Sequence, residues 1–329
     1  MSTAKKISVR SASQMATSEP AQPELKAMLQ EIGKAVNGKN DIIYKVLLAI
    51  LAGGHILLED MPGVGKTTLA LALSKTMSLS CKRIQFTPDV LPTDVVGFNM
   101  YHKETDSFSF KAGVAFCHLL LADEINRTSS KTQSALLELM EEGAVTIDGI
   151  THPLPSPHIV IATQNPITCV GTQKLPESQL DRFLVRLSLG YPDSENEIAL
   201  LKARQTQNPL DSIRPVIEVN TLLQMRKAVE AVYISDTLYQ YIVALTNATR
   251  THTAVRLGIS PRGSIALMQM AKASAFAQGR DYLLPDDIVF VLPDVFCHRM
   301  ILHGTSGSSD ESAGIIDEIL STIPLPWTD

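Results

Sequence analysis

Gly65-Lys66-Thr67 closes the stretch Met61-Pro62-Gly63-Val64-Gly65-Lys66-Thr67-Thr68. A glycine turn that runs into a helix points several backbone N–H groups one way. The helix start adds the positive end of its dipole, and together they cradle an anion. A lysine there reaches terminal phosphates, and the following hydroxyl binds Mg²⁺. Pro62, Gly63, Val64, Gly65, Lys66, Thr67 and Thr68 are therefore the candidate nucleotide-binding residues, with Thr67 also a metal ligand. The pattern GxxxxGK[ST] asks for glycine five residues before Gly65, and this chain has Asp60. Gly63 keeps the loop open two residues upstream of Gly65. The bland alternative is a glycine turn before an ordinary helix.

A second candidate is Leu119-Leu120-Leu121-Ala122-Asp123-Glu124, an apolar run that ends in two acids. At the end of a buried strand, Asp123 can hold Mg²⁺ through water while Glu124 polarises an attacking water. Taken alone, they could be two solvated acids. The stretch between Gly65 and Leu121 leaves room for one further strand and an insertion, which suits phosphoryl transfer to water. A third apolar run, Ile161-Ala162-Thr163-Gln164-Asn165-Pro166, also ends in polar residues.

These groups need a scaffold. Apolar spacing predicts helices between Glu24 and Ala52, interrupted at Asn37–Asp41. Strands are expected at His55–Glu59, Lys82–Phe86, His118–Ala122, His158–Thr163 and Phe183–Leu189. Helices are expected at Thr67–Met77 and about Ser130–Glu142. Asp94–Phe110 reads as a hairpin-like insertion, and Ala144–Leu154 as a hairpin turning at Asp148-Gly149. Apolar strands alternating with helices indicate an α/β fold, a parallel five-stranded sheet between helices. Glu195–Gln205 reads as helical. After Tyr191-Pro192 the composition changes, and Val219–Leu320 reads as helices with short breaks, a smaller all-α domain. The expected division is a disordered tail at 1–23, a nucleotide-binding core at 24–205, a linker at 206–216 and a helical lid at 217–329.

The 329 residues carry 45% apolar and 19% charged residues, with net charge −5 and a pI near 5.9. Nothing here demands a nucleic-acid partner. No window approaches the roughly 20 apolar residues of a membrane span, and Met1–Pro23 lacks the apolar run of a signal peptide. Cys81, Cys117, Cys169 and Cys297 form no CxxC pair, so a reducing, cytoplasmic location is expected. His55, His118 and His158 flank strands at no metal-ligand spacing and read as packing residues.

Four strings extend the picture: Asp123-Glu124-Ile125-Asn126-Arg127, Ala162-Thr163-Gln164-Asn165-Pro166, Leu175-Pro176-Glu177-Ser178-Gln179-Leu180-Asp181-Arg182-Phe183 and Gly258-Ile259-Ser260-Pro261-Arg262. With the phosphate loop, in this order, they resemble the MoxR family of AAA+ ATPases, a clade related to magnesium-chelatase subunits. The resemblance covers nearly the whole chain after residue 24. Asp60 fits it, because these proteins often lack the first glycine.

The resemblance implies roles. Asn165 would be sensor 1, orienting the lytic water with Glu124. Arg182 would be an arginine finger acting on a neighbouring subunit, with Arg186 as the fallback; a salt bridge to Asp181 or Glu177 is the other use for Arg182. Arg262 would be sensor 2, projecting from a lid helix towards the phosphates. A cation in a first helical turn opposes the helix dipole, and a phosphate would supply the reason for it. The Asp94–Phe110 and Ala144–Leu154 segments resemble the helix-2 insert and pre-sensor-1 hairpin, which touch clients. Phe98, Tyr101, Phe108 and Phe110 are expected mostly to pack the insert onto the core. Asn126 and Arg127 receive no role.

The implied activity is ATP hydrolysis with Mg²⁺ by a homo-oligomeric ring, a hexamer by resemblance. It would drive chaperone-like remodelling or maturation of a partner complex with a von Willebrand factor A-domain protein. A DNA-associated ATPase, such as a helicase loader or transcription activator, is the alternative; the acidic pI and the lack of a DNA-binding appendix weigh against it.

Overall fold

The computed structural model describes residues 20–165, 175–204, 208–304 and 309–326. The chain opens with α1 (Pro23–Gly33) and α2 (Asn40–Leu51). The core follows as β1 (Ile56–Glu59), α3 (Lys66–Thr76), β2 (Cys81–Gln85), α4 (Pro92–Val96), β3 (Gly97–His102), β4 (Ser107–Ala112) and β5 (Leu119–Asp123). It continues through α5 (Ser130–Glu142), β6 (Ala144–Ile147), β7 (Ile150–Pro153), β8 (Ile159–Gln164), α6 (Glu177–Leu180), β9 (Val185–Leu187) and α7 (Ser194–Arg204). The remainder is α8 (Val219–Glu230), α9 (Asp236–Thr251), β10 (Val255–Leu257), α10 (Pro261–Ala277), α11 (Pro285–Phe296), β11 (Ile301–Leu302) and α12 (Ser309–Thr322).

Five strands form one parallel sheet in the order β2-β5-β8-β1-β9. Its residues alternate between two buried layers, as a pleat requires. Ile56, Leu58, Leu119, Leu121, Ile159 and Ile161 face one hydrophobic cluster. Leu57, Leu120, Ala122, Val160 and Ala162 face the other, with Phe86, Leu136 and Phe183. Burial on both faces explains why these strands read as unbroken apolar runs. Register aligns their carboxyl ends: Gln85 pairs with Asp123, Leu58 with Thr163, and Glu59 with Gln164. Polar side chains thus collect along one sheet edge, where open α/β folds bind ligands.

The helical part is not wholly α, because β10 and β11 form a short antiparallel ribbon within it. Its buried residues, among them Leu245, Leu267 and Leu292, join the same cluster as Leu25, Ile43 and Ile56. The described part of the 206–216 stretch is bound down. Val216 N donates to Thr76 O at 2.8 Å, and Lys75 Nζ donates to Leu210 O at 2.7 Å. Of the stretch expected to be a disordered tail, Ala21 N donates to Ala277 O at 2.9 Å. Residues 1–19, Pro166, Cys169 and Gln205 lie outside the described residues.

Both expected hairpins form. Asp148 and Gly149 take φ of 49° and 80°, the left-handed pair that matches a tight turn to strand twist. Asn99 Nδ2 donates to Asp148 Oδ2 at 2.7 Å, and the Phe110 ring stacks on His152 at 3.8 Å, so the two hairpins make one surface. The packing expectation for the aromatics fails for three of the four. Phe98, Tyr101 and Phe108 are exposed, Phe108 by 71%; Phe110 alone packs inward, against Phe116 and His152. Among the described residues, no helix is long and apolar enough to cross a membrane.

Candidate functional site

At the carboxyl edge of the sheet lies a cleft of about 310 Å³. It is lined by Pro62, Gly63, Gly65, Lys66, Thr67 and Thr68 from the loop before α3 and its first turn. Arg83 and Gln85 of β2, Asp123, Glu124 and Thr163 complete it. Gly63 and Gly65 have φ of 89° and 101°, which L side chains rarely adopt. A Cβ at either would meet nothing within 4 Å, so the loop's face is open. Gly65 caps α3 with no side-chain hydrogen bond, leaving the helix N–H groups to a ligand. The Val64 side chain packs against the core, which leaves only its backbone to the loop's open face.

Lys66 Nζ donates to its own loop, to Asp60 O at 2.8 Å and Met61 O at 3.3 Å. Burial pushes this ammonium below its ordinary range, against the pull of the Asp60, Asp123 and Glu124 carboxylates. A phosphate would replace those carbonyls and favour the charged form.

The two acids are held from the side by Thr163, which no motif had singled out. Its buried hydroxyl donates to Asp123 Oδ1 at 3.2 Å and accepts from Glu124 N at 2.9 Å. That second bond fixes a strained backbone: Glu124 has φ 56° and ψ 50°, the left-handed region, which costs a non-glycine residue about 1–2 kcal/mol. The kink turns Glu124 away from the strand direction and into the cleft, where its carboxylate pairs with Arg127 at 2.9 Å. Arg83 Nε donates to Asp123 Oδ2 at 2.7 Å. Asp123 and Thr67 both line the cleft, an acid and a hydroxyl, the hard oxygen donors that Mg²⁺ prefers.

Asn165 follows β8 immediately, and its carbonyl accepts from Asn126 Nδ2 at 3.4 Å. Asn126 Oδ1 is buried without a hydrogen-bond partner. Arg186 is paired with Glu59 at 3.1 Å, its side chain 14% exposed. Histidine packing holds for His55: Nδ1 accepts from Val160 N at 3.0 Å, and Nε2 donates to Met140 O at 2.8 Å.

Arg182 and Arg262 are not among the residues lining the cleft. They meet on one carboxylate instead, that of Glu141. Arg182 Nη1 lies 2.8 Å from Glu141 Oε2, and Arg262 Nη2 bonds Glu141 Oε1. Neither Asp181 nor Glu177 is the partner of Arg182: Asp181 pairs with Arg299 at 2.8 Å, and Glu177 lies 4.0 Å from Arg256. In this structure the cation in the first turn of α10 is met by the Glu141 carboxylate.

Residues 55–185 match the ATPase family associated with various cellular activities (AAA), and residues 247–319 match the AAA lid domain. The Mycobacterium tuberculosis protein named Chaperone MoxR1 is 36% identical over 92% of this chain and 82% of its own length. The chain belongs to the MoxR family of AAA+ ATPases. A Bacillus subtilis protein, YeaC, is 46% identical over 95% of this chain and 98% of its own length. A crystal structure from Cytophaga hutchinsonii, described there as an inferred ATPase, superposes with a TM-score of 0.83 at 39% identity, covering 92% of this chain and 95% of that one. As a MoxR-family member the chain is an ATPase.

Proposed function

We propose that this MoxR-family ATPase works as a Mg²⁺-dependent ring, a hexamer, in which each nucleotide is hydrolysed between two subunits. The observation that carries the reading is a separation. Lys66, Thr67, Asp123, Glu124 and Thr163 converge on the cleft, while Arg182 and Arg262 sit together outside it. A cation pair beyond its own cleft suits delivery to a neighbour's γ-phosphate. Such fingers contribute about 10³–10⁵ in rate in related nucleotide hydrolases.

In this reading Lys66 and the loop N–H groups bind the phosphates, and Thr67 with Asp123 would hold the metal. Mg²⁺ held there would offset phosphate charge. Glu124, steadied by Thr163, takes the proton of the attacking water, and Asn165 helps to orient that water. Arg182 completes the site in trans, so turnover requires assembly.

The work done is chaperone-like remodelling of a partner complex, together with a von Willebrand factor A-domain protein; the relative named as a chaperone supports this. The joined hairpins, with exposed Phe98, Tyr101, Phe108 and Ile150, supply the surface that would meet it.

The test uses Glu124→Gln with saturating ATP and Mg²⁺, which should bind nucleotide without turning it over. Sedimentation velocity should then show a six-subunit species, lost when EDTA is added. A monomer under those conditions rejects the ring. Normal hydrolysis by Glu124→Gln rejects Glu124 as the proton acceptor.

A further inference from the structure

Two arginines from different parts of the fold converge on one carboxylate. Glu141 lies in the last turn of α5, and its two oxygens take Arg182 and Arg262, one each. Arg182 Nη1 also donates to Leu137 O, one turn earlier on α5, at 2.9 Å. A second link ties the backbones that carry them. Asp181 Oδ2 accepts from Ser260 Oγ at 2.9 Å, and Ser260 is the N-cap of α10. Asp181 Oδ1 accepts from Arg299 Nε at 2.8 Å; Arg299, almost fully buried, also donates to Phe183 O and Leu184 O.

Two guanidinium groups repel at short range, and each rides on a long flexible stem. A shared carboxylate removes the repulsion and selects one rotamer of each, since a carboxylate has room for two charge-assisted donors. The side chains of Arg182 and Arg262 are 32% and 43% exposed. The pair is thus held at the surface, accessible to another molecule.

We propose that Glu141 is a positioning residue: it holds Arg182 and Arg262 as one preformed cation pair, aimed at the γ-phosphate bound by the adjacent subunit. This rests on the reading of Arg182 as a finger acting in trans. Glu141 acts through the arginines and not on the reacting atoms. A finger displaced by about 1 Å can cost on the order of 100-fold in rate.

Glu141→Gln keeps the size and removes the charge, and Glu141→Asp keeps the charge on a shorter stem. For Glu141→Gln, turnover should fall at least ~10-fold, with affinity for a fluorescent ATP analogue unchanged and the same oligomer on sizing. Glu141→Asp should recover part of the loss. Mixing Glu141→Gln chains with Glu124→Gln chains should restore turnover, because the latter supply an intact arginine pair to intact clefts. Arg182→Ala mixed with Glu124→Gln is the parallel control. Recovery in the control but none with Glu141→Gln overturns the role of Glu141 alone, as does wild-type turnover by Glu141→Gln. No recovery in the control removes the trans finger, and this proposal with it. A variant whose ATP affinity falls together with its turnover would show a merely structural Glu141.

Discussion

Asp60 Oδ1 accepts a hydrogen bond from Ser188 Oγ at 2.7 Å, across 128 residues of chain. The same carboxylate accepts from Leu189 N at 2.8 Å and Gly190 N at 2.9 Å. The residue that breaks the glycine pattern of the phosphate loop therefore ties the loop's first residue to the exit of β9. Asp60→Gly, which restores the pattern, should destabilise the fold by about 1–3 kcal/mol by leaving buried donors unpaired. The midpoint of urea unfolding should fall. Nucleotide affinity should change little, since Lys66 bonds the Asp60 carbonyl and not its side chain. A variant as stable as the parent would show that water replaces the carboxylate.

Lys66→Ala removes the one ammonium among the cleft-lining residues. Charge-assisted hydrogen bonds are worth about 1.5–3 kcal/mol, so ATP affinity should fall on the order of 10–100-fold. Calorimetry of the Glu124→Gln background, where turnover does not interfere, measures it. Unchanged affinity would remove Lys66 from the phosphate site.

Thr163→Val tests a contact that the motifs do not name. The side chain keeps its volume but can neither donate to Asp123 nor accept from Glu124 N. Glu124 then loses the bond that holds its left-handed backbone. Turnover should fall by about 10-fold or more, as for other misplaced catalytic groups. Stability should fall by about 1–3 kcal/mol for the orphaned N–H. A variant with full turnover and reduced stability would leave Thr163 a purely structural residue.

What could be read from the chain was whatever is local. Lys66, Thr67, Asp123 and Glu124 stand in strings whose spacing alone dictates a loop and a strand end, and the sheet showed itself because both of its faces are buried. Thr163 was inside one such string, yet its hydroxyl matters only through the register that sets β8 beside β5. Glu141 was invisible for the same reason: nothing in a helix of ordinary composition announces two arginines arriving from positions 182 and 262. The aromatic residues of the β3–β4 hairpin misled in the other direction. Alternation predicts a pleat with a packed face, but a two-stranded ribbon that stands off the core leaves Phe98, Tyr101 and Phe108 uncovered.

Asp181 and Arg299 form an ion pair in which Arg299 is 2% exposed. Burial pushes the Arg299 guanidinium down to about 10, with Asp181 opposing the shift. Asp181→Ala should therefore cost about 3–5 kcal/mol, because it leaves a buried charge without its partner. Replacing both, as Asp181→Leu with Arg299→Met, should cost less than the sum of the single changes. A double-mutant cycle read by chemical unfolding checks it; strict additivity would mean the two groups do not interact.

His55 makes stability depend on acid. Burial first, then the nearby His158 and Arg226 charges, push its pKa from 6.5 down to about 4, against the bond to Met140 O. The unfolded chain takes up a proton as pH falls through 6.5, while the folded chain resists until about 4. A group that stays neutral in the folded state thus contributes no loss above pH 6.5 and a growing loss between 6.5 and 4. At 1.36 kcal/mol per unit the loss is on the order of 3 kcal/mol. His158 and His298 are also pushed down by burial and steepen the same limb. His55→Leu should be less stable at pH 7.5, having lost both ring hydrogen bonds, yet show a shallower fall towards pH 4. Unfolding free energies at several pH values in that window decide it. Parallel slopes for parent and variant would mean that His55 titrates alike in the folded and unfolded chain.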